Sequence, residues 1–152
     1  MTVRALVVDD SVVVRRTVAN VLGEADDVEV VGTASDGRLG LRRIAELQPD
    51  VVTLDVEMPG MNGLETLEHI RRDHPQLPVI MYSTLTERGA RETLDALSLG
   101  AVDYATKPSG ATTREEAAQQ VRQNLLPLVR LWGRRKVVRR TPAPAGTAAV
   151  PA

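Results

Sequence analysis

Apolar runs and amphipathic stretches alternate five times along this chain. The apolar runs have the length and the β-branched content of buried parallel strands, and they lie at residues 3–8, 28–32, 51–54, 78–83 and 101–106. After each run come turn residues and then apolar positions spaced three or four apart, which is the period of a helix with one buried face. The pattern therefore predicts an α/β fold, with a doubly wound five-stranded parallel sheet and five helices. The order of the strands does not follow from periodicity.

Capping residues and apolar spacing predict where several helices start and which faces they bury. The side chains that can cap a helix are those of Ser11, Asp36, Thr86 and either Thr112 or Thr113. The fourth helix is expected to turn Ala90, Leu94 and Leu97 inward, and the last helix Val121, Leu125 and Leu128. Pro127 interrupts the last pattern, so that helix should kink there or end its first part.

Composition limits the class of protein. The chain has 152 residues, of which 43% are hydrophobic and 26% are charged, as in an ordinary globular domain. It contains no cysteine, which excludes disulfides, thiolate metal sites and thiol catalysis. No apolar run is long enough to span a membrane and the N-terminus lacks a signal-peptide pattern. We therefore expect a cytoplasmic protein with no membrane contact.

Charge is distributed unevenly along the chain. Six of the 19 basic residues lie within residues 130–140, which hold no acid, whereas the remainder carries 13 basic and 20 acidic residues. An acidic domain with a short basic segment is not a general polyanion binder, so nucleic acid is not expected as a partner. We assign residues 1–126 to the domain and 127–140 to a basic extension of the last helix. Residues 141–152, rich in Pro and Ala, read as a disordered linker.

Carboxylates stand at the ends of two predicted strands. Asp9 and Asp10 follow the first strand, and Asp55 follows the third. In a doubly wound sheet, ligands bind in the crevice beyond the carboxyl ends of the strands. Three acids gathered there would repel one another and lose hydration unless a cation lies between them. The pattern therefore predicts a metal site, with one acid available for chemistry.

Four motifs at the strand ends together resemble the receiver domain of two-component response regulators. They are the pair Asp9-Asp10, the lone Asp55, Ser83-Thr84 after the fourth strand and Lys107-Pro108 after the fifth. The resemblance covers residues 3 to about 126. It implies the flavodoxin-like receiver fold, Mg²⁺ as the cofactor and a histidine kinase as the partner that phosphorylates the domain.

The family's phosphorylation residues carry over position by position. Asp9 and Asp10 match the acid pair that helps to hold Mg²⁺, and Asp55 matches the phosphoacceptor, which also ligates the metal. Glu57 stands where the family supplies a backbone carbonyl to the ion, and Lys107 matches the family's lysine. These residue types suit phosphoryl transfer, because an Asp can attack phosphorus, Mg²⁺ prefers oxygen ligands and a lysine supplies positive charge.

Two further positions match the residues that switch the domain between states. Ser83, in preference to Thr84, matches the switch hydroxyl because it directly ends the fourth strand. Tyr104, three residues before the lysine, matches the aromatic switch position. The resemblance implies that a bound phosphoryl group draws the hydroxyl inward, and that the aromatic side chain then rotates.

Longer stretches, at residues 55–67, 81–86 and 97–104, are similar to the receiver of chemotaxis protein-glutamate methylesterases. In that family a linker joins the receiver to a C-terminal serine-hydrolase domain, so the resemblance implies a switch that regulates a methylesterase domain. This chain stops in the linker and has no Gly-x-Ser-x-Gly elbow. The expected chemistry is therefore limited to phosphorylation and dephosphorylation of its own aspartate.

Other functions stay open at this point. A stand-alone receiver and the receiver of a DNA-binding regulator would share the same site and differ only downstream. A more distant alternative is a Mg²⁺-dependent phosphatase of the haloacid dehalogenase type, which also uses an Asp nucleophile. That family requires Asp-x-Asp, and here the second acid is Glu57.

Overall fold

Strands and helices alternate through the described part of the chain. The computed structural model describes residues 2–84, 86–108 and 113–140, with the backbone alone for 139 and 140. The elements are β1 (Val3–Val8), α1 (Val12–Glu24), β2 (Val28–Ala34), α2 (Gly37–Leu47), β3 (Val51–Asp55), α3 (Gly63–Asp73), β4 (Val79–Ser83), α4 (Glu87–Ser98), β5 (Asp103–Thr106), α5 (Arg114–Asn124) and α6 (Leu126–Arg140). The expected five strands with five alternating helices are confirmed, and α6 follows them. Thr112 and the expected linker, 141–152, lie outside the described residues.

The five strands form one parallel sheet with the order β2-β1-β3-β4-β5. The chain runs from β1 outward to β2 and then crosses back to β3 on the other side of β1. This reversal creates a crevice at the carboxyl ends of β1 and β3, the place where doubly wound sheets bind ligands. The doubly wound fold predicted from the alternation is therefore confirmed.

Each strand contributes side chains to two hydrophobic cores, one on either face of the sheet. On β1, Val3, Ala5 and Val7 face the core shared with α1 and α5, whereas Leu6 and Val8 face the core beneath α2, α3 and α4. Successive strand residues point to opposite faces, so a strand buried on both sides must be apolar throughout. This is why the strands could be recognised as continuous apolar runs.

Capping side chains fix the starts of the helices just beyond the strand-end loops. The N-caps expected from the sequence, Ser11, Asp36, Thr86 and Thr113, each accept a backbone hydrogen bond from the first turn of α1, α2, α4 and α5. Helix α3 begins with a capping box in which Asn62 and Glu65 satisfy each other's backbone N–H groups. These caps hold the loops that carry the polar strand-end residues.

The buried face of α4 differs from the sequence prediction. Ala90 and Leu94 were expected to face inward, but both are exposed, and 64% of Leu94 is accessible to solvent. Leu97 is only half-buried. The helix instead buries its small residues, Gly89, Thr93 and Ala96. The reason is close packing, because a Cβ atom at position 89 would stand 2.7 Å from the backbone oxygen of Thr84. The hydrophobic spacing therefore predicted a face rotated by one residue from the buried one, and of its members Leu97 still packs against the core.

Residues 126–140 form a separate helix rather than an extension of α5. Helix α5 ends at Asn124, and Pro127 lies in the first turn of α6, where a helix tolerates the missing N–H group. Val129 and Val137 are buried in the core beside α1 and α5, and Gly133 packs on Val3. Because one face of α6 is buried, we propose that this segment belongs to the domain.

Two of the basic residues of α6 pair with an acid next to the sheet. Arg130 and Arg134 contact the Asp27 carboxylate at 3.0 and 2.7 Å, just before β2 begins. Both arginines keep the pKa of Asp27 below its ordinary value, although burial opposes them. Part of the basic segment is thus neutralised within the fold.

Candidate functional site

The sheet order brings the polar strand ends together at one edge. Val8 pairs with Leu54, so Asp9 and Asp55 follow neighbouring strands. The strands β4 and β5 continue the same edge and carry Ser83 and Lys107 at their ends. The carboxyl edge therefore gathers the residues that the sequence placed in one site.

Asp9, Asp10 and Asp55 form one cluster of acids. One carboxylate oxygen from each residue lies within 4.8 Å of the others. Asp9 and Asp55 are only 2% and 3% exposed, whereas Asp10 is exposed to solvent. Buried carboxylates at this separation repel each other strongly unless positive charge is close by.

Lys107 supplies positive charge at the base of the cluster. Its Nζ lies 2.8 Å from Asp55 Oδ1 and 3.0 Å from Asp9 Oδ2, and its side chain is nearly buried. The backbone N–H of the same residue donates to the Ser83 carbonyl at 2.7 Å, which fixes the loop after β5 to the end of β4. Beneath the ammonium group lies the ring of Tyr82, 5.7 Å from Nζ.

Burial and charge shift the protonation of this site. Burial raises the pKa of the Asp55 carboxyl from 3.8 to about 7, the negative charge of Asp9 adds to the rise, and Lys107 opposes it. Burial disfavours the charged form of Lys107, but the carboxylates of Asp9 and Asp55 outweigh it and raise its pKa. The site thus holds one charged lysine, whose single positive charge does not neutralise the carboxylates around it.

The arrangement fits a divalent cation. Asp9 Oδ2 is buried, and the cation next to it among the described residues is the Lys107 ammonium, 3.0 Å away, which it shares with Asp55 Oδ1. One ammonium group cannot neutralise two buried carboxylates, and a metal ion would supply the missing positive charge. The donor set consists of oxygen atoms, which Mg²⁺ and Ca²⁺ prefer.

A cleft of about 260 Å³ opens above the acids. It is lined by Asp10, Asp55, Glu57, Ser83 and Lys107, among others. The backbone N–H of Glu57 donates to Asp55 Oδ1 at 3.2 Å, and the Glu57 side chain is exposed. A larger groove, about 540 Å³, lies at the opposite end of the sheet beside Lys136 and contains none of these residues.

Ser83 and Tyr104 occupy different environments. Ser83 is buried, and its Oγ lies 3.0 Å from Thr93 Oγ1 on α4. Tyr104 is 49% exposed on β5 and does not line the cleft. Only Ser83 of the two expected switch residues therefore borders the cleft directly.

Thr93 was missed by the sequence analysis. A threonine inside an amphipathic helix carries no chemical motif, and the apolar spacing had assigned to the interior a face of α4 that is rotated by one residue. The available signal was the row of small residues at helical spacing, Gly89, Thr93 and Ala96. Such a row marks a helix face that packs closely against its neighbour.

A family model for the response regulator receiver domain matches residues 5–119. The chain belongs to this family. The sheet order and the acids and lysine at the carboxyl ends of the strands are those expected for a receiver domain. The family match therefore excludes a phosphatase of the haloacid dehalogenase type. Among the described residues of this receiver domain, no helix is long and apolar enough to cross a membrane.

Within the receiver family, the chain is similar to the receivers of protein-glutamate methylesterases. The chain is 52% identical over 134 residues to a protein-glutamate methylesterase/protein-glutamine glutaminase of Trichodesmium erythraeum, covering 88% of this chain and 38% of that protein. A Nocardioides protein of the same name is 48% identical over 149 residues, with 98% and 40% covered. The receiver thus spans well under half the length of these relatives.

A solved structure also indicates similarity to receivers of methylesterases. The response regulator domain of Thermotoga maritima CheB is 42% identical, with a TM-score of 0.78 over 88% of this chain and 98% of that one. The chain is therefore a receiver of the kind found in CheB-type chemotaxis regulators.

Proposed function

We propose that this receiver accepts a phosphoryl group on Asp55 from a histidine kinase and thereby regulates a C-terminal methylesterase domain. The observation that carries the proposal is the buried Asp55 carboxylate, held 2.8 Å from Lys107 within a cluster of acids. This is a nucleophile beside a fixed positive charge at the mouth of a small cleft.

The transfer needs little more than positioning. Among the described residues, Glu57 N–H and Lys107 Nζ both donate to Asp55 Oδ1, which leaves Oδ2 to attack phosphorus. The new oxygen–phosphorus bond forms as the phosphorus–nitrogen bond of the phosphohistidine breaks, and the electron pair of that bond stays on the imidazole nitrogen. Lys107 then balances charge on the phosphoryl oxygens.

Mg²⁺ is the cofactor that this proposal requires. The residues that would hold it are Asp9, Asp10 and Asp55, together with the backbone carbonyl of Glu57. When bound, the ion neutralises phosphoryl oxygens and the acids around them. The support in this chain is the cluster of three acids in which one lysine is shared by two buried carboxylates.

Switching is proposed to begin at Ser83. Its buried hydroxyl borders the cleft and can donate to a phosphoryl oxygen after a small movement. Tyr104 pairs with Met81 on the neighbouring strand and is 49% exposed, and we propose that its side chain rotates when the β4–α4 loop moves. The phosphoryl group would shift the population between two arrangements of this edge.

The methylesterase part of the proposal rests on relatives much longer than this chain. Their shared name and their high identity to this receiver support a methylesterase as the regulated domain, with residues 141–152 as the linker to it. We place this phosphotransfer in the cytoplasm. A stand-alone receiver would have the same site chemistry without that effector.

Phosphorylation is tested with acetyl phosphate and Mg²⁺, followed by intact-mass analysis. The wild-type chain should gain one phosphoryl group that alkali removes, as expected for an acyl phosphate. Asp55→Asn should abolish the gain, and Lys107→Ala should slow it while leaving the protein folded. Asp73→Asn, which changes an exposed acid on α3, is the matched control and should label like the wild type. Persistent labelling of Asp55→Asn would locate the acceptor elsewhere and overturn the proposal.

A further inference from the structure

The hydroxyl group of Ser83 has a partner that the proposed phosphorylation chemistry does not use. Thr93 Oγ1 lies 3.0 Å from Ser83 Oγ and 2.8 Å from the carbonyl oxygen of Gly89. The side chains of Ser83 and Thr93 are both buried, with residue exposures of 6% and 5%. Thr93 is thus cut off from solvent, whereas Ser83 borders the cleft.

The protons of these two hydroxyl groups can be assigned from their partners. Thr93 has one hydroxyl proton and the Gly89 carbonyl can only accept, so both contacts are hydrogen bonds only when Thr93 donates to Gly89 and accepts from Ser83. The bond between the two side chains is then completed by the Ser83 proton, which is donated to Thr93 Oγ1. In this arrangement the Ser83 proton is already used.

We propose that Thr93 is a positioning residue that holds the Ser83 hydroxyl in its unphosphorylated orientation and competes with the phosphoryl group for the Ser83 proton. The inference rests on the proposed function, because it concerns the residue expected to bond a phosphoryl oxygen. Thr93 itself does not line the cleft, so it acts through Ser83 rather than on the phosphoryl group.

The same bond ties α4 to the end of β4. Ser83 is the last residue of β4, and Thr93 lies on the buried face of α4 together with Gly89. A Cβ atom at Gly89 would stand 2.7 Å from the backbone oxygen of Thr84, so this part of the helix lies close to the end of β4. When Ser83 turns toward a phosphoryl oxygen, it releases this side-chain connection between helix and strand. Loss of the bond would thus be an early step in moving α4.

The test measures the affinity for beryllofluoride, a phosphoryl mimic, at a fixed excess of Mg²⁺. Thr93→Val replaces the hydroxyl with a methyl group of similar shape and leaves the Ser83 proton without this competitor. Removing a competing hydrogen bond of ordinary strength should tighten binding about two- to tenfold. Thr93→Ser keeps the hydroxyl and should bind within about twofold of the wild type.

A second pair of variants shows whether the effect passes through Ser83. In a Ser83→Ala background, Thr93→Val should leave the beryllofluoride affinity unchanged, because no serine proton remains to compete for. A purely structural role for Thr93 would move the affinity equally in both backgrounds. If Thr93→Val does not fold, Thr93→Ala removes the same hydroxyl without adding a methyl group at Cβ, and the same tightening is expected.

The outcomes separate this inference from the proposed function. Equal or weaker binding by folded Thr93→Val, with the wild type still binding beryllofluoride, would overturn the role of Thr93 alone. Failure of the wild-type domain to bind beryllofluoride with Mg²⁺ would overturn the phosphoacceptor proposal, and the role of Thr93 with it. Tightening that Thr93→Ser reverses and Ser83→Ala removes would support the competition.

Discussion

Lys107 contacts two carboxylates at once, but it carries only one positive charge. Asp9 and Asp55 lie within 3.0 Å of its Nζ, and Asp10 adds a third acid at the rim. With all three acids ionised, the cluster keeps an excess of negative charge that burial makes expensive. The residue chemistry therefore favours a divalent cation, and the exposed Asp10 is the member whose charge can be removed with the least disturbance of packing.

Asp10→Asn should weaken Mg²⁺ binding about tenfold, because it removes one of the negative charges facing the ion. In EDTA the same change should raise the free energy of unfolding, since it relieves repulsion among the three acids. Titration of Mg²⁺ followed by amide NMR, and urea unfolding in EDTA, measure the two effects.

Asp26→Asn is the matched control for this variant, because Asp26 is an exposed acid in the loop before β2. It should change neither property. Unaltered Mg²⁺ affinity in Asp10→Asn would show that the ion is held without this carboxylate. Mg²⁺-dependent shifts confined to His69 and His74 would place the ion outside the acidic cluster altogether.

At the scale of elements, the sequence predicted strands better than helix faces. A strand buried on both sides is a continuous apolar run, and each one was found within one or two residues of its ends. Helix α4 misled because its buried side carries Gly89 and Thr93, and Leu94 points to solvent. Pro127 correctly marked the break before α6. The basic residues of α6 were predicted to form an extension of the last helix, and nothing in the apolar spacing indicated that α6 packs on β1.

The packing of α6 can be tested at Gly133. Gly133→Ala should lower the free energy of unfolding by about 1–3 kcal/mol, because the new methyl group would clash with buried Val3 Cγ1. Gly23→Ala is the matched control, since a Cβ atom at that position in α1 meets nothing within 4 Å. That helical change should stabilise the domain by about 0.5–1 kcal/mol. Urea unfolding compares the two variants, and equal stabilisation by both would show that α6 does not pack on β1.

For the whole molecule, the alternation of apolar runs with amphipathic stretches predicted the class of fold. The motifs shared with the receiver family predicted the site. The order β2-β1-β3-β4-β5 decides which strand ends are neighbours, and it is set by handed crossovers that leave no periodic signal in the sequence. The resemblance to receivers supplied the expectation that Asp9, Asp55 and Lys107 belong to one site, and the structure supplied the order. The partner of Ser83 could not be found in this way, because it depends on the rotation of α4 and on close packing at Gly89.

The charge of the site should also set how the stability of the whole domain varies with pH. Burial, followed by the charge of Asp9, raises the folded-state pKa of Asp55 from 3.8 to about 7. Between these values the folded chain binds more protons at Asp55 than the unfolded chain does. The contribution to stability is therefore complete below pH 3.8 and is lost as the pH rises through 7. Its upper limit is about 4 kcal/mol, at 1.36 kcal/mol for each pKa unit.

In EDTA, the free energy of unfolding should accordingly fall from about pH 5 to pH 7, the upper part of that interval, and Asp55→Asn should flatten the curve. The window lies above the range in which the paired acids Glu24 and Asp27 titrate, because their arginine partners keep both pKa values low. Saturating Mg²⁺ should remove the decline, since a cation favours the ionised carboxylate and binds more tightly as the pH rises. Urea unfolding of both proteins across this window, with and without Mg²⁺, measures the effect. A wild-type curve in EDTA that rises or stays level would show that Asp55 is already ionised at low pH, and that Lys107 alone compensates the buried acids.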